Sequence, residues 1–245
     1  MNFKSLSLAG LACLSMVCVQ NASAADDMFS EYAVTGELST RGLGLNATTN
    51  ITSQLNGRLS LAGFTYSMDQ DLDDISYESD LTLMTVGGLV DWHPFSGGLR
   101  LSTGLFLNFN GIEASATPAS TSSYTFNNVS YNGSLIDSVS ADIEFNTVAP
   151  YVGIGWGNPV QKDSNWFFHS DVGVLFTGKP SVSLSASTNS ANILTSVSND
   201  ATAAATLTSE INSNVAAAQA DIEDDDALTY FQYYPVISLG LSYRF

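Results

Sequence analysis

Cysteine is nearly missing from this chain: Cys13 and Cys18 are its two thiols, and both lie within the first 24 residues. That stretch has Lys4 as its one charge, an apolar run from Leu6 to Val19 and a small-x-small Ala22-Ser23-Ala24, the pattern of a secretory leader cut after Ala24. Neither cysteine sits in a lipoprotein context. The expected mature chain, 25–245, therefore has no disulfide, no thiolate metal site and no cysteine nucleophile. Beyond the leader no stretch reaches the ~18 uncharged apolar residues of a membrane-crossing helix. Basic residues are scarce too, seven Lys and Arg against 24 Asp and Glu for a formal charge of −17, which argues against a nucleic-acid partner. Two separated histidines, His93 and His169, make poor metal catalysis, and no cofactor is expected.

What the chain does have is alternation. From Tyr234 to Phe245, Pro235, Ile237, Leu239, Leu241, Tyr243 and Phe245 share one face, while small or polar residues and Arg244 share the other. An uninterrupted apolar face ending in aromatics describes a strand in the wall of an outer-membrane barrel. The terminal Phe245 resembles the signal read by the bacterial barrel-assembly machinery.

The two-residue period returns over Ile51–Thr65, Ile75–Leu89, Leu99–Phe109, Val139–Trp156 and Trp166–Ser187, with charge on one face only. Taking the apolar face as lipid-facing puts Leu55, Leu59, Tyr77, Leu81, Leu83, Leu89, Ile143, Phe145 and Tyr151 outside. Arg58, Glu78, Asp80, Asp142, Glu144, His169 and Asp171 then line the lumen. Trp92, Trp156, Trp166, Tyr243 and Phe245 mark strand ends with short turns. Tyr66, Tyr77, Phe109, Phe231 and Tyr233 mark the ends with long or acidic loops, at Met68–Asp74, Glu113–Ser138 and Thr188–Ala227. Short inner turns against long outer loops is the barrel asymmetry and assigns the short turns to the periplasm. Six such strands, Thr40–Ala47 as a seventh and Met28–Glu37 as an eighth predict an all-β, transmembrane antiparallel up-and-down barrel of eight strands, monomeric, in the bacterial outer membrane. Within the last loop, Leu207, Ile211, Val215, Ala218 and Ile222 form a helical stripe capped by Thr206 or Thr208 and fraying before Glu223. It is expected to lie against Phe231 and Tyr233 at the mouth.

Several runs resemble the CarO-type outer-membrane proteins: Val148–Gly155 (VAPYVGIG), Asn165-Trp166, Asp171-Val172-Gly173 and Thr177–Leu184 (TGKPSVSL), with Thr40–Leu45 and Asp91-Trp92-His93-Pro94 as weaker matches. The resemblance implies a barrel of about eight strands and uptake of small solutes, notably ornithine and other basic amino acids.

Read from the residues, the substrate path or lumen comprises Asp142, Glu144, Asp171, His169, Glu78, Asp80, Arg58, Arg100 and Arg244. Five acids against three arginines favour a small cationic solute. A salt-bridged core is the alternative, because opposite charges in a low-dielectric interior pair. Asp69, Asp71 and Asp73 in MDQDLDD give the D-x-D-x-D start of a calcium loop but lack its turn glycine and bidentate glutamate, a weak metal candidate. Divalent ions bridging this loop to lipopolysaccharide phosphates would need no dedicated site. An enzyme is disfavoured: in His169-Ser170-Asp171 the serine points to the face opposite its would-be base.

Overall fold

The computed structural model describes residues 28–72, 75–117, 119–121, 123–161 and 164–245. The leader, Asp73 and Asp74 lie outside the described residues. The strands are β1 (Tyr32–Ser39), β2 (Gly42–Asn50), β3 (Leu55–Leu72), β4 (Ile75–Trp92), β5 (Leu99–Asn108), β6 (Gly111–Thr117), β7 (Ser123–Phe126), β8 (Val129–Asn132), β9 (Ile136–Glu144), β10 (Val148–Trp156), β11 (Trp166–Phe176), β12 (Ser181–Thr188) and β13 (Tyr233–Arg244). Helices α1 (Ser190–Ser196) and α2 (Ala201–Glu223) fall between β12 and β13.

Hydrogen-bonded order β4-β3-β2-β1-β13-β11-β10-β5, closed by the β4–β5 pairing, makes an eight-stranded antiparallel barrel. Closure leaves no unpaired backbone edge around the ring, which is what crossing a bilayer with strands requires. No described helix is long and apolar enough to cross a membrane. Outward side chains form a continuous apolar belt: Leu239, Leu241, Leu105, Ile154, Val172, Leu43 and Leu59 are all exposed. At the short-turn end Trp166 stacks edge-on with Tyr243 (centroids 4.9 Å), and Tyr243 with Phe245 (5.2 Å). At the opposite rim Phe176 meets Tyr233 at 5.8 Å.

Three walls continue past that rim. β5 runs on as β6, β10 is entered from β9, and β11 runs on through Gly178 (φ +71°) into β12. Above the barrel these pair in the order β3-β4-β6-β9-β12, a five-stranded upper sheet. Val139–Trp156 and Trp166–Ser187 are thus each two strands, broken at Phe145–Thr147 and at Thr177–Pro180. The expected loop over Glu113–Ser138 is largely ordered as β6, the β7–β8 hairpin, a 3-10 turn and the start of β9.

The upper sheet inverts the face rule, and this overturns two parity assignments. On β4, Leu89 is 5% exposed and faces the lumen, while Met84, Val86, Val90 and Trp92 face out. The β3–β4 register runs unbroken from Leu55↔Trp92 to Leu72↔Ile75, so parity carries upward. Leu83, Leu81 and Tyr77 therefore face inward, and Thr82, Asp80 and Glu78 outward. The same holds on β9 and β10: Tyr151, 3% exposed, is a lumen residue, and Phe145 and Ile143 share its parity, whereas Asp142 and Glu144 face out. Inside a bilayer the outer face is apolar because lipid is there; above it the outer face meets water and the inner face meets protein. The change falls between Met84 and Thr82. From Met84 to Trp92 is about 27 Å of strand, or about 20 Å along the axis at a tilt of ~40°, close to the ~25 Å apolar band of such barrels.

The inner face of the upper sheet packs on the helices. Phe126, Tyr131, Ile136, Ile193, Ile211 and Val215 form a buried cluster with Leu184, Ala186, Val139, Leu207 and Ala218 against it. So α2 seats its stripe on β12 and the β7–β8 hairpin, not on Phe231 and Tyr233, and Ile222 is left exposed. Its cap is Asp200, whose carboxylate accepts from the N–H groups of Thr202 (2.8 Å) and Ala203 (3.1 Å), six residues earlier than Thr206. The Gln219 side chain accepts from Leu184 N at 3.0 Å and covers the free edge of β12.

Candidate functional site

Two polar constellations stand out: an ionic core inside the barrel and a carboxylate row outside the upper sheet.

The core begins with register. Asp171, Gly155 and Arg100 lie opposite one another on β11, β10 and β5. Gly155 has no side chain, so Arg100 passes over it to reach Asp171 (Nη2 to Oδ2, 2.8 Å); a Cβ there would run into Asp171, Arg100 and the Ser170 carbonyl. Arg100 also donates to the Gly157 carbonyl at 2.6 Å. Arg58 bridges Asp91 (2.8 Å) and Asp171 (3.0 Å), and Ser102 donates to Asp91 at 2.6 Å. A second pair sits beside it. Arg41 donates to Glu37 at 2.7 Å and to Thr85 at 3.1 Å, and the other Glu37 oxygen accepts from Asn46 at 2.8 Å. All of these side chains are buried. Three carboxylates face three guanidinium groups, so the core is neutral once His169 is neutral; each guanidinium is hydrogen-bonded to a carboxylate, while Arg41 Nε and Arg58 Nε are buried without a partner.

Next to the ions lies an apolar plug of Leu89, Phe106, Ala149, Tyr151, Leu175 and Val236, with Tyr234 against it. Phe106 and Tyr151 meet edge-to-face at 5.7 Å, and the Arg41 guanidinium lies 4.6 Å from the Phe106 centroid. The void between ions and plug, lined by Arg41, Arg58, Leu89, Phe106, Tyr151 and Asp171, measures about 10 Å³. That is room for at most one water.

Of the sequence-predicted lumen residues, Arg58, Arg100, His169 and Asp171 converge in this core. Arg244 sits at the short-turn mouth, bonded to Glu31 (2.8 Å) and the Ser164 carbonyl (3.3 Å). Glu78, Asp80, Asp142 and Glu144 are not in the lumen; they lie on the outer face of the upper sheet, so the expected negative surplus inside does not exist. Glu37, Arg41 and Asp91 are members that sequence reasoning missed. Glu37 was legible, since Ala33, Thr35 and Glu37 alternate with Tyr32, Val34 and Leu38, but it closes the expected strand Met28–Glu37 and was not counted in the lumen. Arg41 had no signal, because it leaves the β1–β2 turn and folds inward.

Metal chemistry fits the core poorly. Glu37, His169 and Asp171 bring ligand atoms within 4.8 Å of one another. Yet the Glu37 oxygens are taken by Arg41 and Asn46, and the Asp171 oxygens by Arg58 and Arg100. A cation there would abut Arg100, whose Nη2 is 2.8 Å from His169 Nε2. The other metal candidate also falls away, since Asp69 and Asp71 belong to an extended strand paired to Glu78 and Ser76, not to a wrapping loop, and Asp73 lies outside the described residues. In His169-Ser170-Asp171 the outer residues face the core and Ser170 the other side, so no triad forms.

At the short-turn end His93 is buried. Its Nδ1–H donates to the Gly97 carbonyl and its Nε2 accepts from Asn56 Nδ2, each at 3.0 Å; Asn56 also donates to Asn158. Burial lowers the His93 pKa below the ordinary histidine value, against the pull of the Gly97 carbonyl and Asp91.

The outer row follows from pairing. Asp80 on β4 stands opposite Glu113 on β6, Glu113 opposite Asp142 on β9, and Asp142 opposite Ser183 on β12. Glu144 lies one step nearer the membrane, opposite Gly111. Beside them, where β5/β6 and β9/β10 bend, a cleft of about 340 Å³ opens, lined also by Asn108, Asn110, Phe109, Phe145, Ile112 and Ile143.

A closed ring of eight antiparallel strands, an apolar outer belt with aromatic ends and a polar interior define an outer-membrane type of β-barrel. The fold is that of the CarO-type barrels. The crystal structure of Acinetobacter baumannii CarO2 matches with TM-score 0.50 at 17% identity, over 88% of this chain and 98% of that one. CarO from the same organism gives 0.48 at 22% identity, over 87% and 97%, and a major outer membrane protein from Thermus thermophilus gives 0.42 at 12%, over 88% and 98%. No family model matches the chain, nor does the sequence of any curated protein.

Proposed function

We propose that this protein is a closed, non-enzymatic, monomeric barrel of the Gram-negative outer membrane whose working surface is its acid-rich upper sheet, the short turns lying in the periplasm. The observation that carries this reading is the packing of the lumen, where the void between the ionic core and the apolar plug measures only about 10 Å³. Partners on the outside are lipopolysaccharide phosphates, bridged to the surface carboxylates by divalent cations. Assembly proceeds through the barrel machinery, which reads the β13 strand.

Uptake of small cationic solutes such as basic amino acids is the second reading, favoured by the row of carboxylates Asp80, Glu113, Asp142 and Glu144, which concentrate cations at the outer face. Passage would require Arg41 to leave Glu37 and Phe106. Vesicles carrying the purified protein distinguish the two. The closed barrel passes radiolabelled ornithine and glutamate no faster than protein-free vesicles; flux selective for ornithine would overturn it and establish the transport reading.

A further inference from the structure

His169 is a titratable group that the salt bridges of the core leave unsatisfied. Its ring is 1% exposed and charged groups from four strands face it. On its own strand, β11, Asp171 places Oδ2 2.9 Å from Nε2. β5 brings Arg100 (Nη2 at 2.8 Å), β3 brings Arg58 (Nη1 at 3.4 Å) and β1 brings Glu37 (Oε2 at 3.9 Å). β13 sets only Gly240 opposite the ring, and β10 only Gly155 opposite Asp171. Arg41 and Asp91 stand one partner further off, on Glu37 and Arg58.

No protonation state of the ring suits all of these groups. A neutral ring that accepts from Arg100 at Nε2 carries its proton on Nδ1, which is buried without a partner, and it turns a lone pair toward Asp171. A neutral ring with its proton on Nε2 donates to Asp171 but sets that N–H against the N–H groups of Arg100. A doubly protonated ring bonds to Asp171, adds a fourth cation to a core of three carboxylates and opposes both Arg100 and Arg58. One proton therefore decides which partners Asp171 and Glu37 keep.

The two arginines that would lose partners reach different parts of the barrel. Arg100 Nη1 donates to the Gly157 carbonyl at 2.6 Å, where the short turn begins that is tied down by Asn158 on Asn56 and by the buried Val160. Arg41, held by Glu37 at 2.7 Å, lies over Phe106 of the apolar plug. A protonated His169 competes with Arg100 for Asp171 and with Arg41 for Glu37, and so loosens the turn and the plug together.

We propose that His169 is a proton-operated latch on the lumen. Neutral, it leaves Arg100 and Arg41 on their carboxylates and the barrel sealed; protonated, it draws Asp171 and Glu37 and opens a path for small ions. The latch rests on the barrel being closed at neutral pH.

Conductance of the purified full barrel in planar phospholipid bilayers, titrated from about pH 7.5 to about pH 4.5 across the ordinary histidine value, tests it. One linked proton shifts an open-to-closed ratio by up to about tenfold per pH unit, so a rise of at least about tenfold is expected over this range in the wild type and in His93→Asn. His169→Gln keeps an amide oxygen to accept from Arg100, takes up no proton and stays closed throughout. In His93→Asn the chain's remaining histidine is His169, and its imidazole NMR shift titrates with the conductance midpoint. Each variant must retain heat-modified mobility on gels, and the NMR midpoint decides the matter where His169→Gln does not fold. Conductance already present at neutral pH would refute the closed barrel itself. A barrel closed at every pH, opening retained in His169→Gln, opening lost in His93→Asn, or a ring shift that does not follow the conductance would overturn the latch alone.

Discussion

Asp171→Asn removes the one carboxylate that two buried arginines share. Arg100 donates to it through Nη2 at 2.8 Å and Nε at 3.3 Å, and Arg58 through Nη1 at 3.0 Å. The amide cannot carry the charge, so Arg58 keeps Asp91 as its ion-pair partner and Arg100 is left without one among the described residues. Breaking a buried ion pair from one side costs about 3–5 kcal/mol, because the remaining charge is desolvated without compensation. At 1.4 kcal/mol per decade this is at least about a hundredfold in the folding equilibrium. Urea unfolding in phospholipid vesicles, followed by tryptophan fluorescence and gel mobility, reads it directly. Asp142→Asn is the comparison, because that carboxylate faces water in a like-charged row and its loss relieves cross-strand repulsion; it leaves stability unchanged or slightly raised. Arg100→Met combined with Asp171→Leu removes donor and acceptor together and recovers part of the loss, as apolar replacement of both partners does. A cost below about 1 kcal/mol for Asp171→Asn, no larger than that of an exposed pair, would refute the claim that the ionic core holds the barrel together.

Gly155→Ala interposes a methyl group between Arg100 and Asp171, and the barrel should unfold at lower urea by an amount comparable with Asp171→Asn, measured the same way. Ile211→Ala, at a fully buried position under the upper sheet, should cost about 2–5 kcal/mol, but locally: limited proteolysis cuts α2 sooner while the barrel keeps its heat-modified mobility. His93 binds its proton less readily folded than unfolded. Its contribution to stability is therefore complete above the ordinary histidine pKa of about 6.5 and is lost as pH falls below it. A urea midpoint that does not decline on that limb by more than it does in His93→Asn would contradict the neutral, doubly hydrogen-bonded ring.

Alternation alone carried much of the fold: the β1–β2, β3–β4 and β13 strands, the eight-strand count and the girdle of Trp92, Trp156, Trp166 and Tyr243 were all legible, because a side-chain period of two is a local property of backbone geometry. The charged residues on β3, β5 and β11 were placed on the correct face for the same reason. The failures on β4, β9 and β10 have one cause. Alternation says which residues share a face, not which solvent that face meets. On β4 the even positions read Trp92, Val90, Val86 and Met84 and then Thr82, Asp80 and Glu78, an exchange of character that marks the exit from the bilayer.

The chain's own order of residues was thus sufficient to decide that it makes strands, how many close the ring and which end carries the short turns. Tertiary structure alone decided where the wall bends, since that depends on β6, β9 and β12 pairing across residues far apart in the chain. It also decided that Glu37 and Arg41 complete a neutral core and that Asp80, Glu113 and Asp142 line up on the outside. Charge balance in a lumen and like-charge rows on a sheet are sums over several strands, and no single strand's pattern contains them.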